Sequence, residues 1–505
     1  MLPNIEEVIV SAIIGELASR SVSFVFETCS KRMAPPSTLE EKLDSLHRLL
    51  LRVGAVVEDA EGRNITNQAM LQQLKTMSQV MFRGHFKLDT IRSQGNDSNK
   101  VCADHESGHH RSLVLSIFNP AKRLRICSSG TESAGELQRI LASLETIIQD
   151  TAEFIQLARE YPRLTRQPYN MYLLLDNCMF GRRMEMEHII NFLLQGTQNH
   201  GAGHLGVLPI VGPANVGKST LVEHVCIDER VRNHFSQILP INGGDLSDKD
   251  IVTLANGTGV IKYENREGSG GGRVLIIVEA DKDINKDSWQ RLYSASKARL
   301  APGSKIIVTS RSDKIIGYGT SLPLILQFMA PEAYWYFFKV RTFGSVDVAR
   351  EHPKLASIAM EMAWEMSGCF MGVNIFGGML KSSFALSTWN LALSTYRQFK
   401  RLNHFLSNAY PTDPWELSRP ILLPIVNRKS PEYFVVVNSY QTSSSPGEGI
   451  SSPKVSVQDV MLGSSSPQGK FSALAWRSHI PAHKNYVFRC EQRMPRKKRI
   501  HKIMR

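Results

Sequence analysis

A chain of 505 residues with 42% hydrophobic content is long enough for roughly two to four domains with ordinary cores. Its 60 basic and 47 acidic residues leave a formal charge of +13, but the excess is spread along the chain, which argues against a dedicated nucleic-acid-binding module. Seven cysteines, an odd number with no CxxC pair, give no zinc or disulfide pattern and fit a reducing compartment.

No uninterrupted apolar run approaches about 18 residues, so no integral membrane segment is expected. The stretch Met1 to Glu7 is acidic where a secretory signal is basic. A cytoplasmic location follows. The terminal basic run Arg493, Arg496, Lys497, Lys498, Arg499 and Lys502 reads first as a solvated tail, and leaves a nuclear or peripheral membrane pool open.

Residues 1–160 carry helical periodicity. Asn4 and Glu7 form a capping box ahead of Ile5, Val8, Ile9, Ala12, Ile13 and Leu17, which share one helical face. A second helix opens at Ser37 and Glu40, and its Leu39, Leu43, Leu46, Leu50, Val53 and Val57 step by four and three in a coiled-coil-like seam. The third repeats that stepping with Met70, Leu74, Met77, Met81 and Leu88, with Gly84 as a weak point on the seam. Ser93 to Ser112 is polar and reads as a loop. The fourth helix runs through Leu137, Leu141, Leu144, Ile148 and Ile155. Four amphipathic helices with one long connection close as a bundle.

Over 165–330 the pattern changes. Apolar runs at 205–211, 237–241, 274–278, 305–310 and 322–328 alternate with helical or loop segments, which predicts a parallel, doubly wound sheet. Directly after the first run stands Gly212-Pro-Ala-Asn-Val-Gly-Lys-Ser219, a complete GxxxxGK[ST] phosphate loop, followed by a helical pattern from Ser219 to Cys226. Gly212 and Gly217 allow the tight turn that aims backbone N–H groups at an anion. Lys218 then neutralises the β- and γ-phosphates and Ser219 holds Mg²⁺. A second glycine run, Gly268 to Gly272, lacks the lysine and the helix and reads as a turn.

Residues 331–408 are helical again, with Pro331 at a first helical position and Tyr334, Trp335, Phe337 and Phe338 as core aromatics. Residues 409–505 carry one strand-like stretch, Phe434 to Val437, among Ser- and Pro-rich segments, and read as irregular with no assigned fold. No leucine-rich, tetratricopeptide or WD-type repeat is present.

In this order the motifs resemble the plant NB-ARC disease resistance proteins of innate immunity, of the coiled-coil class and grass type, truncated and without leucine-rich repeats. The resemblance spans residues 1–400. It rests on Val57 to Glu61, Met70 to Leu74 and Leu88-Asp89 in the helical region, and on Met179-Phe-Gly-Arg-Arg183 before the phosphate loop. Val274 to Asp281, Gly303 to Arg311 and Glu332 to Gly344 follow in family order. The implied architecture is multidomain, α and α/β: an N-terminal four-helix bundle, a P-loop NTPase parallel α/β sheet, then a helical ARC-type subdomain.

By that resemblance Gly181 and Arg182 lie beside the adenine, and Gly212, Asn215, Val216, Gly217, Lys218, Ser219 and Thr220 cradle ADP or ATP. Ser219 and Glu279 hold Mg²⁺ with the nucleotide, and Arg311 reports the γ-phosphate. Glu279 is the first catalytic carboxylate. Asp281 is the geometrically poorer second, because one residue along a strand reverses side-chain direction.

Departures are also legible. Pro213 and Asn215 stand where the family prefers glycines, and Ala280 stands where it keeps a second acid, which implies slow hydrolysis at most. Gly368-Cys-Phe-Met371 replaces the Gly-Leu-Pro-Leu segment, and Val457-Gln-Asp459 shares one residue of three with the Met-His-Asp signature. Arg83 to Lys87 replaces an acidic patch, which argues against docking of that helix by acid–base pairing.

The resemblance implies an ADP/ATP switch in plant defence that signals through its helical domain. Its partners would be other proteins bound through the bundle, including self-association or pairing with full-length resistance proteins, while nucleic acid ranks last. A nucleotide-free scaffold or decoy and a weak P-loop ATPase are the alternatives.

Overall fold

The computed structural model describes residues 38–101, 130–163, 180–195, 205–213, 216–243, 261–262, 272–280, 283–344, 351–403, 421–425, 433–443, 453, 455–477 and 484–493. The expected helix at 4–17, Asn215, Asp281, Gly268 to Gly271 and the basic run beyond Arg493 lie outside them. The chain divides into a short unit, Met1–Arg48, and a main unit, Leu49–Arg505.

Within the short unit the start of helix α1 (Leu39–Glu61) is described. Its capping box sits one residue later than Ser37 and Glu40. The Thr38 amide donates to Glu41 Oε2 at 3.1 Å and the Glu41 amide donates to Thr38 Oγ1 at 3.2 Å. Both registers fit the Ser/Thr-x-x-Glu pattern.

In the main unit α1 continues and is followed by α2 (Gln68–Val101) and α3 (Gly130–Arg159). The seam positions Leu50, Val53, Val57, Leu74, Met81, Leu137 and Leu144 are buried as their spacing predicts. Asn67 opens α2 by accepting the Ala69 amide at 2.9 Å. Two expectations are corrected in α2. It runs through Ser93 to Val101, because once a helix is nucleated each further residue adds a hydrogen bond even in a polar stretch. Gly84 is a contact and not a weak point: a Cβ there would lie 2.6 Å from Leu50 Cδ2, so its bare backbone lets α1 and α2 approach. Three of the four expected bundle helices are thus described.

The α/β region begins with α4 (Arg183–Leu194), then β1 (Gly206–Val211), α5 (Lys218–Ile227), α6 (Glu229–His234), β2 (Gln237–Asn242), β3 (Ile261–Lys262), β4 (Val274–Ala280), α7 (Lys286–Arg299), β5 (Lys305–Ser310) and β6 (Leu324–Ile325). The six strands lie in the order β3-β2-β4-β5-β1-β6. Five are parallel, and β3 is a short antiparallel edge strand.

Alternation divides the apolar runs between two cores. Leu208, Ile210, Leu275, Ile277 and Ile307 pack with Ile189 and Ile190 of α4 and Leu221, Val222 and Val225 of α5. Val207, Val211, Ile276, Val278, Ile306 and Val308 pack on the other face with Trp289 and Leu292 of α7. Glu187 of α4, fully buried, is neutralised by Arg230 of α6 through bonds of 2.7 and 2.9 Å.

Helices α8 (Pro331–Phe343), α9 (Pro353–Met366), α10 (Phe370–Lys381) and α11 (Leu386–Leu402) follow. Pro331 starts α8 and Gly344, at φ +74°, ends it. The α8 aromatics are core residues as expected.

The region left without a fold contains β7 (Ile421–Pro424), β8 (Tyr433–Ser443), β9 (Val455–Ser456), α12 (Val457–Leu462), β10 (Lys470–Arg477) and β11 (Lys484–Arg493). Its strands form a sheet ordered β7-β8-β11-β10-β9, which is therefore not irregular. Leu423, Phe434, Val436, Val460, Ala473 and Cys490 join the core built by α8 to α11. Asp459, the residue shared with the Met-His-Asp signature, closes a capping box with Ser456 at the start of α12.

Helix α2 docks on α8 through the acid–base pairing that its sequence argued against. Asp89 Oδ2 accepts Lys339 Nζ at 2.7 Å and Trp335 Nε1 at 2.9 Å. Lys339 is 1% exposed. The loss of the acidic patch is compensated by one carboxylate on the buried face, while Lys87 turns to Glu136 of α3.

Candidate functional site

The phosphate loop leaves the C-terminal end of β1 between two flanking strands. Val211 pairs with Ser310 of β5 and with Ile325 of β6. The Gly212 amide donates to the Ser310 carbonyl at 3.3 Å, and a Cβ on Gly212 would come within 2.6 Å of the Leu326 carbonyl oxygen. Only glycine lets the backbone pass there. Gly217, at φ +93°, is the N-cap of α5, and Val216, fully buried, pins the loop to the core beneath.

Lys218 folds back over this curve. Its ammonium donates to the carbonyls of Gly212 at 2.7 Å and Pro213 at 2.9 Å. Ser219 and Thr220, half-buried, occupy the first turn of α5, where unpaired backbone N–H groups and the helix dipole favour an anion. The glycine-lined cradle, the ammonium above it and the helix terminus behind it fit a polyphosphate. For a divalent cation the oxygen donors at hand are Ser219 and Glu279.

Glu279 is half-buried near the end of β4, opposite Asn242 of β2 and Thr309 of β5. By alternation it shares a sheet face with Leu275 and Ile277, the face on which α5 packs. Ala280 turns to the opposite core, where a Cβ on Gly243 would meet its own at 3.0 Å. Position 280 therefore presents neither a carboxylate nor an orientation toward the loop. Arg311 follows Ser310 at the end of β5, level with Gly212, and is half-buried.

Gly181 and Arg182, expected beside the adenine, meet the segment that follows β6. Gly181 has φ +64°, and a Cβ there would lie 2.9 Å from Met329 Cε. Arg182, 6% exposed, donates Nη2 to the Gln327 carbonyl and pairs through Nη1 with Glu185 at 3.5 Å. Burial pushes its guanidinium below the ordinary range, with Glu185 opposing. Gly368, at φ +92°, abuts Phe328.

A segment that the sequence marked only as the last apolar run joins these parts. Leu326 underlies Gly212, Gln327 holds Arg182, Phe328 meets Gly368 and Met329 meets Gly181. The apolar run 322–328 read as a strand, yet only Leu324–Ile325 forms one, followed by a single bond from the Leu326 amide to the Val211 carbonyl at 2.8 Å. The rest is the wall that brings the loop, the Gly-Arg segment and α10 together. Tyr486 of β11 was missed as well. Burial, with the charges of Glu223 and Glu279 nearby, pushes its phenol above the ordinary range, and no sequence spacing links β11 to β4. His224, in the last turn of α5, is held down to about 4 by desolvation.

A parallel sheet, a GxxxxGK[ST] turn and the helix that follows define a P-loop nucleotide-binding fold. The relatives of the chain are plant disease resistance proteins. It is 22% identical over 355 residues to disease resistance protein RGA2 of Solanum bulbocastanum, covering 68% of this chain and 34% of that protein. It is likewise 22% identical over 410 residues to the putative disease resistance RPP13-like protein 1 of Arabidopsis thaliana, covering 78% and 38%. The chain thus spans little more than a third of the length of these curated relatives. No family model matches it.

Among solved structures, PCH-2 of C. elegans aligns at 12% identity with a TM-score of 0.31 over 46% of this chain and 75% of that one. Drosophila ORC bound to DNA aligns at 16% and 0.31 over 48% and 72%. No described helix is long and apolar enough to cross a membrane.

Proposed function

We propose that the chain is an ADP/ATP-binding switch of the NB-ARC type in plant defence, signalling through its N-terminal helices. The observation that carries this reading is the Lys218 ammonium held by the carbonyls of Gly212 and Pro213, a position from which it can exchange those oxygens for phosphate oxygens. Relatives among plant disease resistance proteins support the defence role.

Glu279, on the α5 face of the sheet, and Ser219 complete a Mg²⁺ site, and Arg311, level with Gly212 past the end of β5, reports the γ-phosphate. The buried methyl of Ala280 supports slow turnover, since orienting water and spreading charge is most of phosphoryl-transfer catalysis. Near-complete switching needs about 5.5 kcal/mol of differential binding. Incomplete switching suits a partner or regulator of full-length resistance proteins, acting through helix-to-helix contacts.

The test is to purify the full chain, denature it with acid and identify released nucleotide by chromatography, with Lys218→Ala in parallel. Stoichiometric ADP that is lost in the variant is expected. An empty protein that also fails to bind added ADP or ATP overturns the switch and leaves a helical scaffold or decoy.

A further inference from the structure

The segment that opens α4 carries two adjacent arginines that reach in different directions. Arg182 holds the Gln327 carbonyl, next to the Leu326 carbonyl against which Gly212 is packed. Arg183 turns to the end of α1. Its Nη1 donates to the Glu61 carbonyl at 2.9 Å, its Nη2 donates to the Arg63 carbonyl, and the Glu61 carboxylate lies 3.7 Å away. The last carbonyls of a helix have no partner within it. Here a side chain from the nucleotide-binding region, 122 residues further on, supplies one.

The same helix end is fastened to the end of α3. The Asn64 amide donates to the Pro162 carbonyl at 2.9 Å. Arg63 donates Nε to Asp59 at 2.8 Å and Nη1 to the Tyr161 carbonyl at 3.3 Å. Arg163 closes the ring by pairing with Asp59 at 3.1 Å. A continuous set of contacts therefore runs from Gly212 through Leu326, Gln327, Arg182 and Arg183 to the joined ends of α1 and α3.

We infer that Arg183 is the coupling residue through which nucleotide occupancy controls whether the ends of α1 and α3 stay fastened to the nucleotide-binding region. This rests on the switch reading above. Continuity becomes coupling only if both ends bias the same element, and reciprocity then requires that releasing Arg183 alter nucleotide preference. Bound ADP stabilises the capped arrangement, and ATP favours its release.

The experiment is hydrogen exchange on the full chain, read at residues 58–65 and 158–163, without nucleotide, with saturating ADP, and with saturating ATP and Mg²⁺. Kd for both nucleotides is measured in parallel. In the wild type, exchange at both stretches is expected to be slowest with ADP. Arg183→Gln should abolish that difference and lower the preference for ADP over ATP by roughly 5-fold or more, the lower end of typical coupling.

Two further variants keep the result readable if Arg183→Gln folds poorly. Arg183→Lys keeps the charge but cannot span both carbonyls, so it should lose most of the response. Glu61→Gln leaves both backbone acceptors in place and should retain it. Nucleotide that binds without changing exchange at these stretches, or changes it equally in wild type and Arg183→Lys, overturns the coupling and leaves the switch reading standing. No binding of either nucleotide to the wild type overturns both.

Discussion

Two of the contacts that tie the N-terminal helices to the rest of the main unit are built from different materials. Where α2 meets α8, a carboxylate and an ammonium are buried together, with Asp89 also accepting an indole N–H. Where α1 ends, a guanidinium takes the carbonyl of Glu61, its last residue, and that of Arg63 just beyond it. The first contact leaves a buried charge behind if either side moves away, which is strongly unfavourable. The second exposes two carbonyls that water can satisfy and loosens a long, 3.7 Å pairing with the partly exposed Glu61 carboxylate. One protein can therefore hold a helix permanently at one point and release its neighbour at another.

The largest expected effect tests the permanent side. Lys339→Met strands Asp89, whose side chain is 10% exposed, and should destabilise the fold by about 3–5 kcal/mol. The denaturant midpoint reads this directly. Adding Asp89→Leu should recover most of the loss, since a well-packed apolar pair often matches a buried ion pair. If the single variant costs no more than a surface ion pair does, the contrast between the two contacts disappears.

Next in size is a pH effect that should belong to the end of α5 and not to either contact. His224 is held to about 4 in the folded state by desolvation, against roughly 6.5 when unfolded. Between those values the unfolded chain takes up the proton first, so stability falls as pH drops through that window. The loss should total ~2 kcal/mol, on a shift of 1.36 kcal/mol per unit discounted for partial exposure. Thermal melts between pH 4 and 7 should show a shallower slope in His224→Gln. An unchanged slope would assign the acid sensitivity elsewhere.

Gly84 marks the contact within the helical region. Gly84→Ala gains roughly 1 kcal/mol of helix propensity, but its Cβ would press on Leu50 Cδ2, and overpacking typically costs about 1–3 kcal/mol. A net loss of ~1 kcal/mol is expected, and Leu50→Ala should relieve the clash, so that the two substitutions combine non-additively in a double-mutant cycle.

Gly84 also illustrates what the sequence could and could not disclose. The parallel strands were legible because strands covered on both faces read as unbroken apolar runs, and the phosphate loop because its chemistry is local. A glycine on a seam has the same appearance whether it weakens the helix or admits a neighbour, and only the position of Leu50 decides. The partners of Asp89 lie 246 and 250 residues away, beyond any periodicity. The β7–β11 sheet was hidden because its strands are separated by Ser- and Pro-rich segments and half its residues face away from the core. The wall at Leu326 to Met329 looked like the end of a strand because a connecting segment that sets single apolar side chains against its neighbours yields the same apolar run as pairing does. Arg183 stood inside a quoted motif without a role, since nothing in Met179 to Arg183 shows that neighbouring arginines diverge.

The smallest expected effect tests the releasable side. Arg183→Gln removes a guanidinium whose side chain is 11% exposed, yet its two close acceptors are backbone carbonyls and the Glu61 carboxylate, 3.7 Å away, is partly exposed. Gln can still donate to one of the carbonyls, and solvent can reach the other. Net hydrogen bonds contribute about 0.5–1.5 kcal/mol each, so the loss in global stability should be ~1 kcal/mol, several-fold below that of Lys339→Met. Denaturant titration of the two variants side by side gives the ratio. A loss from Arg183→Gln as large as that from Lys339→Met would mean that the end of α1 is fixed as firmly as α2, and a contact that firm cannot serve as the point of release.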